Sequence, residues 1–241
     1  MSTVHGGQGS IITQGLVLRL DAANPRSYEP PYTSTTWKDI SGNGYNGTLT
    51  NGPTFNSANG GSIVFDGVND YVNIGTLSNL VGLSGVTVDT WFYNYTTLSS
   101  YQSIIGQYNG SSGWLIHTST NTSYKIIVLV GGGTAFGGIN DTPTNAWFNV
   151  VLLYDGTLTG NLNRLKMYVN GVYRSFDAYY GGTVPSTWPN STSVNANIGA
   201  LLPSLGRYFN GLVPSVKIHN RALTSTEVLQ NFNATRARFG I

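Results

Sequence analysis

The sequence predicts an all-β protein: a two-sheet antiparallel sandwich of jelly-roll type with one short C-terminal helix. Roughly a dozen short alternating or β-branched runs are separated by turn signals, which is the pattern of sandwiches and barrels. Glycine accounts for 31 of the 241 residues, and helix formers are too thinly spread for an α-helical fold. A hydrophobic content of 40% is enough for a substantial core.

The clearest strands lie in the middle of the chain. From Trp147 to Tyr154 the residues alternate between a nearly all-apolar face and a mixed face, which indicates a core strand. A second strand is predicted from Arg164 to Val169. Asn170-Gly171 then forms a two-residue turn into residues 172–176, and Asn-Gly between alternating runs is a strong hairpin signal.

The other elements follow in chain order. Residues 1–14 are small and polar and predict a flexible arm, and residues 15–241 predict a single domain. Loops are expected at 22–36, where Pro30-Pro31 excludes ladder pairing, at 37–47, and at 178–195. The remaining strands are predicted at residues 16–21, 62–65, 71–74, 86–95, 103–107, 114–118, 124–130, 134–139, 197–200 and 208–219.

One helix is predicted near the C-terminus. Thr224 and Glu227 have the spacing of a capping box, in which each side chain bonds the other residue's backbone N–H. Leu223 and Val228 are placed as the hydrophobic staple of this helix start. The helix should run to about Ala234.

Charge and composition exclude several function classes. A net charge of +2 is too small to drive binding to a phosphate backbone, so nucleic acid is not an expected partner. The chain has no cysteine, and therefore neither a disulfide framework nor a thiol nucleophile. No signal peptide or apolar run of membrane-spanning length is present in this sequence, so membrane insertion is not expected.

Four segments together resemble the laminin-G-like jelly rolls of the concanavalin A-like lectin and glucanase superfamily. They are GLVLRLDAANPRSY (15–28), WKDISGNGYNG with GSIVFDGVNDYV (37–72), WFNVVLLYDG with LKMYVNG (147–171), and YFNG with VKIHNRALTSTEVLQNF (208–232). The resemblance implies two antiparallel sheets with the first and last strands side by side. The two ends of the domain look most like domains in structural proteins of tailed bacteriophages. One departure is Val213-Pro214-Ser215, which puts the ladder pairing there in doubt.

The glucanase branch of this superfamily carries catalytic carboxylates on one strand with two-residue spacing. This chain shows no such acidic pair on a strand. It has two glutamates, of which Glu29 precedes a proline in a loop and Glu227 is explained by capping. His5, His117 and His219 lie on an arm and two separate strands, and the sequence points to no acidic or hydroxyl partner for them. The chain is therefore expected not to be an enzyme.

The resemblance also implies a calcium ion at a loop rim, although no cofactor is required. The oxygen-bearing candidates are Asp39, Asn43, Asn46, Asp66, Asn69 and Asp70. The alternative interpretation is that these residues form Asx turns, which the neighbouring glycines favour.

Carbohydrate binding would use aromatic rings in or beside loops. The candidates are Tyr101, Tyr108, Trp114, Tyr179, Tyr180 and Trp188. The alternative is that these rings pack between loops or against a neighbouring subunit.

These observations favour a non-enzymatic virion structural protein of a phage, either a capsid decoration or a head or tail fibre-like component. It would be assembled in the host cytoplasm and located in the virion. Its expected partners are other virion proteins, copies of itself and surface glycans. The second hypothesis is a cellular carbohydrate-binding module, secreted or appended to an enzyme. A third, a glycan-cleaving enzyme, would need two carboxylates roughly 5 to 10 Å apart in a cleft.

Overall fold

The structure is a computed structural model that describes residues 9–95, 101–119, 125–132, 135–140, 145–201 and 206–241. The described residues form two antiparallel sheets packed face to face, as the sequence predicts. No helix among them is long and apolar enough to cross a membrane.

The strands of the first half of the chain are β1 (Leu16–Asp21), β2 (Thr36–Trp37), β3 (Gly47–Thr50), β4 (Thr54–Asn56), β5 (Ser62–Asp66), β6 (Tyr71–Gly75), β7 (Gly85–Asn94), β8 (Gln102–Tyr108) and β9 (Ser112–Thr118). Those of the second half are β10 (Ile126–Gly132), β11 (Ala135–Ile139), β12 (Trp147–Asp155), β13 (Leu165–Val169), β14 (Val172–Arg174), β15 (Ala178–Gly181), β16 (Ala196–Ile198) and β17 (Asn210–His219). The helices are α1 (Asn161–Arg164) and α2 (Ser225–Asn233), with single 3-10 turns at Ala58–Gly60, Ser78–Leu80 and Arg236–Phe239.

Sheet A has the strand order β14-β13-β12-β7-β17-β5-β4, and β1 also pairs with β17. Sheet B has the order β15-β11-β10-β9-β8-β16-β6-β3-β2. The pairing of β1 with β17 confirms that the first and last strands lie side by side. Between the sheets lies one large apolar core, to which Trp37, Val88, Trp114 and Leu152 contribute.

The central hairpin forms as predicted. β13 and β14 pair across a turn in which Asn170 and Gly171 have φ of 50° and 76°, the left-handed backbone that a type I′ turn requires. Val150 and Leu152 of β12 face the core, whereas Val151 and Leu153 face the opposite side of sheet A. The two alternating sets of residues in β12 are therefore both buried, one on each face of sheet A.

A third layer covers the outer face of sheet A. It consists of α2, the following 3-10 turn and residues 9–14. Trp91 stacks on Phe239 with ring centroids 4.2 Å apart, and its indole Nε1 donates to Thr235 Oγ1 at 3.0 Å. Ile12 packs on the cluster around Val151, and its backbone N–H donates to Asn231 Oδ1 at 2.8 Å. This layer explains why sheet A is apolar on both faces.

The prediction of a flexible arm over residues 1–14 needs correction for its described part. Residues 9–14 are tied to the domain, because Gln230 Nε2 donates to the Ser10 carbonyl and Arg221 Nε donates to the Gln14 carbonyl. Residues 1–8, including His5, lie outside the described residues.

Several short elements depart from the sequence prediction. Strands β2, β3 and β4 fall in stretches predicted as loop or left unassigned, and β15 lies inside the loop predicted at 178–195. The final strand is continuous, but its register with β7 shifts between Leu212 and Ser215. The irregularity expected at Val213-Pro214-Ser215 is confirmed.

Candidate functional site

The two tryptophans of the predicted aromatic platform are in the core. Trp114 is 0% exposed and Trp188 is 2% exposed. Their ring centroids are 5.8 Å apart, and Tyr154 packs against Trp188 edge to face at 5.2 Å. Backbone bonds between Trp188 and residues 82–83 hold this loop against the sandwich. The prediction that these tryptophans offer ring faces to a sugar is therefore wrong, because both faces are buried.

Tyr101 and Tyr108 lie in a different region, on the outer side of sheet B. Tyr108 is 7% exposed, and its hydroxyl donates to the Gly110 carbonyl at 2.8 Å. Tyr101 is partly buried, with its ring centroid 5.6 Å from that of His117 and the guanidinium carbon of Arg207 5.1 Å from its ring centroid. Burial, with a smaller contribution from Arg207, lowers the pKa of His117 to about 3. This histidine is therefore neutral at pH 7, in keeping with the structural role expected for it.

The last two predicted aromatics are on β15. The Tyr179 hydroxyl donates to the Gly182 carbonyl at 2.8 Å, and its ring packs against the main core. Tyr180 pairs through its backbone with Phe136 of β11, and its side chain lies outside the described part of the structure. The predicted aromatics that are described thus divide between the core and the outer side of sheet B, and they form no single platform.

The loop from Asp39 to Asn46 uses its polar side chains to hold its own backbone. The Asp39 carboxylate accepts from the N–H groups of Arg19, Ser41 and Tyr45 and from the Ser41 hydroxyl, at 2.8 to 3.1 Å. Asn46 Oδ1 accepts from the Asp39 N–H, and Asn43 Nδ2 donates to the Val17 carbonyl. Because the oxygens of Asp39 and Asn46 are turned towards N–H and O–H donors, this loop does not fit a calcium ion.

In the turn containing Asp66, Asn69 and Asp70, fewer of the side-chain oxygens accept hydrogen bonds. Asp66 Oδ1 accepts from the Val68 N–H at 2.8 Å, and Asp70 Oδ2 accepts from the Asp66 N–H at 3.1 Å. Asn69 accepts from Asn51 through its backbone carbonyl. Burial, and to a smaller degree the charge of Asp66, raises the pKa of Asp70. One oxygen on each carboxylate has no hydrogen-bond partner among the described residues, so two ligand atoms for a cation are available here. Nevertheless, no group of three His, Asp or Glu side chains in the described chain could hold a metal ion.

A pocket of about 380 Å³ lies where the chain crosses from sheet B to sheet A, between β3 and β4. We call it the edge pocket; it is lined by Tyr28, Tyr32, Thr33, Ser34, Thr35, Leu49, Asn51, Gly52, Pro53, Thr54 and Phe55. Tyr32 and Phe55 are partly buried and stack with centroids 4.0 Å apart and planes 10° apart. The sequence does not predict this site, because the two rings are brought together only by the tertiary fold. The available signal was the pair of tyrosines flanking Pro30-Pro31.

A second cavity, the arginine cleft, has a volume of about 550 Å³ and lies between residues 9–11, β1 and the C-terminal segment. Among the described residues that line it, Asp21 is the acidic one. Arg238 contacts Asp21 at 3.0 Å and Arg19 contacts it at 3.5 Å. Arg238 also donates to the carbonyls of Asn59 and Gly61. The ionic groups of this cleft therefore bind each other and fasten the C-terminal segment to the sandwich.

Every Asp and Glu in the described residues has a structural partner. Asp89 is buried and forms an ion pair with Lys217 at 2.9 Å. Glu29 contacts exposed Lys38 at 2.9 Å. Hydrogen bonds from Arg221 lower the pKa of Glu227 to about 2, which keeps this capping carboxylate ionised. The other described carboxylates accept hydrogen bonds within turns or loops, as Asp155 does from Thr157 and Asp177 from Asn140.

Comparisons with known proteins agree with this architecture. The family model Laminin_G_3, described as the concanavalin A-like lectin/glucanases superfamily, matches residues 66–229. No curated protein matches the chain.

Three solved structures illustrate the likeness. Trypanosoma rangeli sialidase aligns with a TM-score of 0.65 and 14% identity over 93% of this chain and 33% of its own, so this chain spans about a third of that protein. Domain 4 of an extracellular arabinanase from Geobacillus stearothermophilus, solved in complex with arabinotriose, aligns with a TM-score of 0.65 and 17% identity over 90% of this chain and 97% of its own. The receptor-binding domain of botulinum neurotoxin type G aligns with a TM-score of 0.59 and 17% identity over 91% of this chain and 51% of its own. At these identities the likeness establishes the fold alone.

Proposed function

The chain belongs to the concanavalin A-like lectin/glucanases superfamily, and from this premise we propose that it is a non-enzymatic structural protein of a phage virion that binds glycans. It serves in this proposal as a capsid decoration or as a head or tail fibre-like component. Its protein partners are other virion proteins or copies of itself.

One observation carries the non-enzymatic part of this proposal. A glycosidase needs two carboxylates on either side of the scissile bond. In the described residues every carboxylate is held by an ion pair, a cap or a turn, and the edge pocket is lined by none. This arrangement supports recognition of a ligand without cleavage.

The glycan-binding part draws support from a structural relative. Domain 4 of the Geobacillus stearothermophilus arabinanase aligns over 97% of its length and was solved with arabinotriose bound. The fold can therefore hold an oligosaccharide in a domain of similar extent. The virion part draws support from the resemblance of the segments at 15–28 and 208–232 to domains of phage structural proteins. It also draws support from the hydrogen bonds that join Ser10 and Ile12, near the start of the sandwich, to Gln230 and Asn231 of α2.

Three measurements test the proposal. On an array of neutral and charged oligosaccharides we expect saturable binding at millimolar affinity or better, and incubation of the bound oligosaccharides should release no reducing ends. Mass spectrometry of purified particles should detect this chain. Binding to no glycan by folded protein would refute the recognition role, and absence from every particle would refute the virion role.

A cellular carbohydrate-binding module is the second candidate. It is favoured by the near-complete match to a domain that is one part of an extracellular arabinanase. The two candidates differ in the mass spectrometry of purified particles, because a cellular module, whether secreted or appended to an enzyme, would be absent from virions.

Calcium is a further proposed ligand, restricted to the turn containing Asp66 and Asp70. Titration of EDTA-treated protein with calcium chloride should raise the Tm, because an ion bound only by the folded state stabilises it. The Asp70→Asn variant should lose this rise, whereas Asp39→Asn should retain it. An unchanged wild-type Tm at millimolar calcium would refute the site.

A further inference from the structure

We propose that the edge pocket binds a neutral sugar ring, stacked beside Tyr32 and Phe55 and held by uncharged hydrogen-bonding groups. The inference rests on the proposed glycan-binding function and adds a location and a ligand class to it. It moves the binding site away from all six aromatic residues that the sequence singles out.

The rings of the pocket form a continuous apolar surface. Tyr32 and Phe55 are stacked at 4.0 Å, and Tyr28 packs against Phe55 with centroids 5.6 Å apart. Tyr28 is buried, whereas Tyr32 and Phe55 are only partly covered. The apolar C–H face of a sugar ring can pack on such a surface, since aromatic side chains combine large contact area with few rotatable bonds.

Hydrogen-bonding groups surround this apolar surface. Within the described residues the hydroxyls of Tyr32, Thr33, Thr35 and Thr54 have no hydrogen-bond partner, and all three threonines are exposed. Asn51 Nδ2 donates to the Asn69 carbonyl at 3.0 Å, and Asn51 Oδ1 accepts from no donor in the part of the chain that the structure describes. A pocket with one aromatic surface and several free hydroxyl groups has the composition expected for a polyhydroxylated ligand.

The uncharged lining of the pocket favours neutral over charged ligands. None of its described lining residues is Asp, Glu, Lys or Arg. An anionic sugar would lose its hydration here without gaining an ion pair, and this is costly. A neutral ring loses only hydrogen bonds that the threonine, tyrosine and asparagine groups can replace. The volume of about 380 Å³ lies within the range of small-molecule sites.

The pocket is also held in shape before any ligand arrives. The Tyr28 hydroxyl donates to the Ser34 carbonyl at 2.8 Å, and the Leu49 N–H donates to the Thr35 carbonyl at 2.7 Å. Tyr32 has φ of 63°, an unfavourable backbone for a bulky residue, and this backbone places its ring on Phe55. Backbone strain at a partly buried aromatic residue beside a cavity is more typical of a binding site than of a core.

The Tyr32→Gly variant tests the proposal cleanly. Glycine accepts positive φ, so the variant removes the ring while keeping the loop conformation. Binding is measured by isothermal titration with arabinotriose, maltotriose, xylotriose and 3′-sialyllactose, together with any neutral glycan found on the array. We expect at least about a tenfold loss of affinity for neutral ligands, as for truncation of a central aromatic contact.

Two further variants guard against a folding artefact. Thr35→Val with Thr54→Val removes two free hydroxyls while the rings stay, and it should also weaken binding. Tyr173→Ala is the matched control, because Tyr173 is a half-exposed tyrosine on β14, and it should bind as the wild type does.

The outcomes separate the two proposals. Wild-type protein that binds no glycan refutes the proposed function and this site with it. Wild-type protein that binds only 3′-sialyllactose overturns the neutral ligand class while glycan binding stands. Wild-type affinity for neutral glycans in folded Tyr32→Gly overturns the location alone.

Discussion

Lys217 and Asp89 form an ion pair beneath the third layer, with side chains 3% and 1% exposed. Asn149 Nδ2 donates to the second oxygen of Asp89 at 2.7 Å, so the carboxylate is bonded on both sides. All three residues belong to adjacent strands of sheet A. A buried pair of this kind contributes little net stability, but removing one partner leaves an uncompensated charge.

We therefore expect Lys217→Met to lower the free energy of unfolding by about 3–5 kcal/mol, measured by urea denaturation. The double variant Asp89→Asn/Lys217→Met removes both charges and should recover a large part of that loss. If the double variant is no more stable than the single one, the charge left behind by Lys217→Met is not what destabilises it.

His117 makes stability depend on pH in a defined direction. Its pKa is about 3 in the folded protein, against about 6.5 in an unfolded chain. Between these values the unfolded chain binds a proton that the folded protein does not, so stability falls as the pH falls. Burial also lowers the pKa of His219, which acts in the same direction.

The expected slope from one such histidine is up to about 1.4 kcal/mol per pH unit below pH 6.5. His117→Gln should show a shallower slope than the wild type between pH 7 and 5, above the range in which carboxylates titrate. Urea denaturation at each pH measures this, and the difference at pH 8 gives the cost of the substitution itself. Equal slopes in the wild type and His117→Gln would contradict the assignment of this pH dependence to His117.

At the scale of single elements, α2 depends on its first residues. Thr224 Oγ1 accepts from the Glu227 N–H at 3.3 Å, and Glu227 accepts from the Thr224 N–H at 2.8 Å, so the predicted capping box is present. Thr224→Ala should destabilise the protein by about 1 kcal/mol. Thr226→Ala, an exposed substitution inside the same helix, is the control and should change stability by much less.

Local signals explain which elements could be predicted. The capping box and the Asn-Gly turn are contained within a few residues, so the sequence alone places them. Strands β2, β3 and β4 have only two to four residues each, and they form by pairing with β3, β6 and β5 respectively. Short polar segments of this kind carry too few alternating positions to be recognised.

Local sequence also does not determine which aromatic residues are exposed for binding. Trp188 lies in a loop by sequence, yet the loop folds back so that its ring reaches Trp114 in the core. Tyr32 precedes β2 of sheet B and Phe55 lies on β4 of sheet A, so the two rings are brought together only by the tertiary fold. Sequence identifies aromatic residues near loops, whereas exposure is set by the tertiary fold.

For the whole molecule, the third layer is held to sheet A largely by aromatic contacts. Phe239 is 6% exposed and packs on both Trp91 and Trp147. We expect Phe239→Ala to cost about 3–5 kcal/mol, the usual range for a buried phenylalanine. Amide hydrogen exchange should become faster in α2 and residues 9–14 before it changes in sheet B, because opening free energies differ between parts of a structure.

Ile241→Ala is a suitable comparison, since Ile241 is 43% exposed and close in sequence to Phe239. This variant should leave both stability and exchange nearly unchanged. Uniform acceleration of exchange across both sheets in Phe239→Ala would show that the third layer and the sandwich unfold as one unit.

Strand β17 pairs with β7 along one side and with both β5 and β1 along the other. Pro214, which has no N–H to donate, lies between the residues that pair with β5 and those that pair with β1. Sheet A is therefore incomplete until residues 210–219 leave the ribosome. Strand β1 stays unpaired until β17, about two hundred residues later in the chain, has been synthesised. Pairings of such sequence separation make folding slow. The nascent chain thus exposes unpaired strand edges throughout its synthesis, and its yield in cells should depend on chaperones and on translation rate.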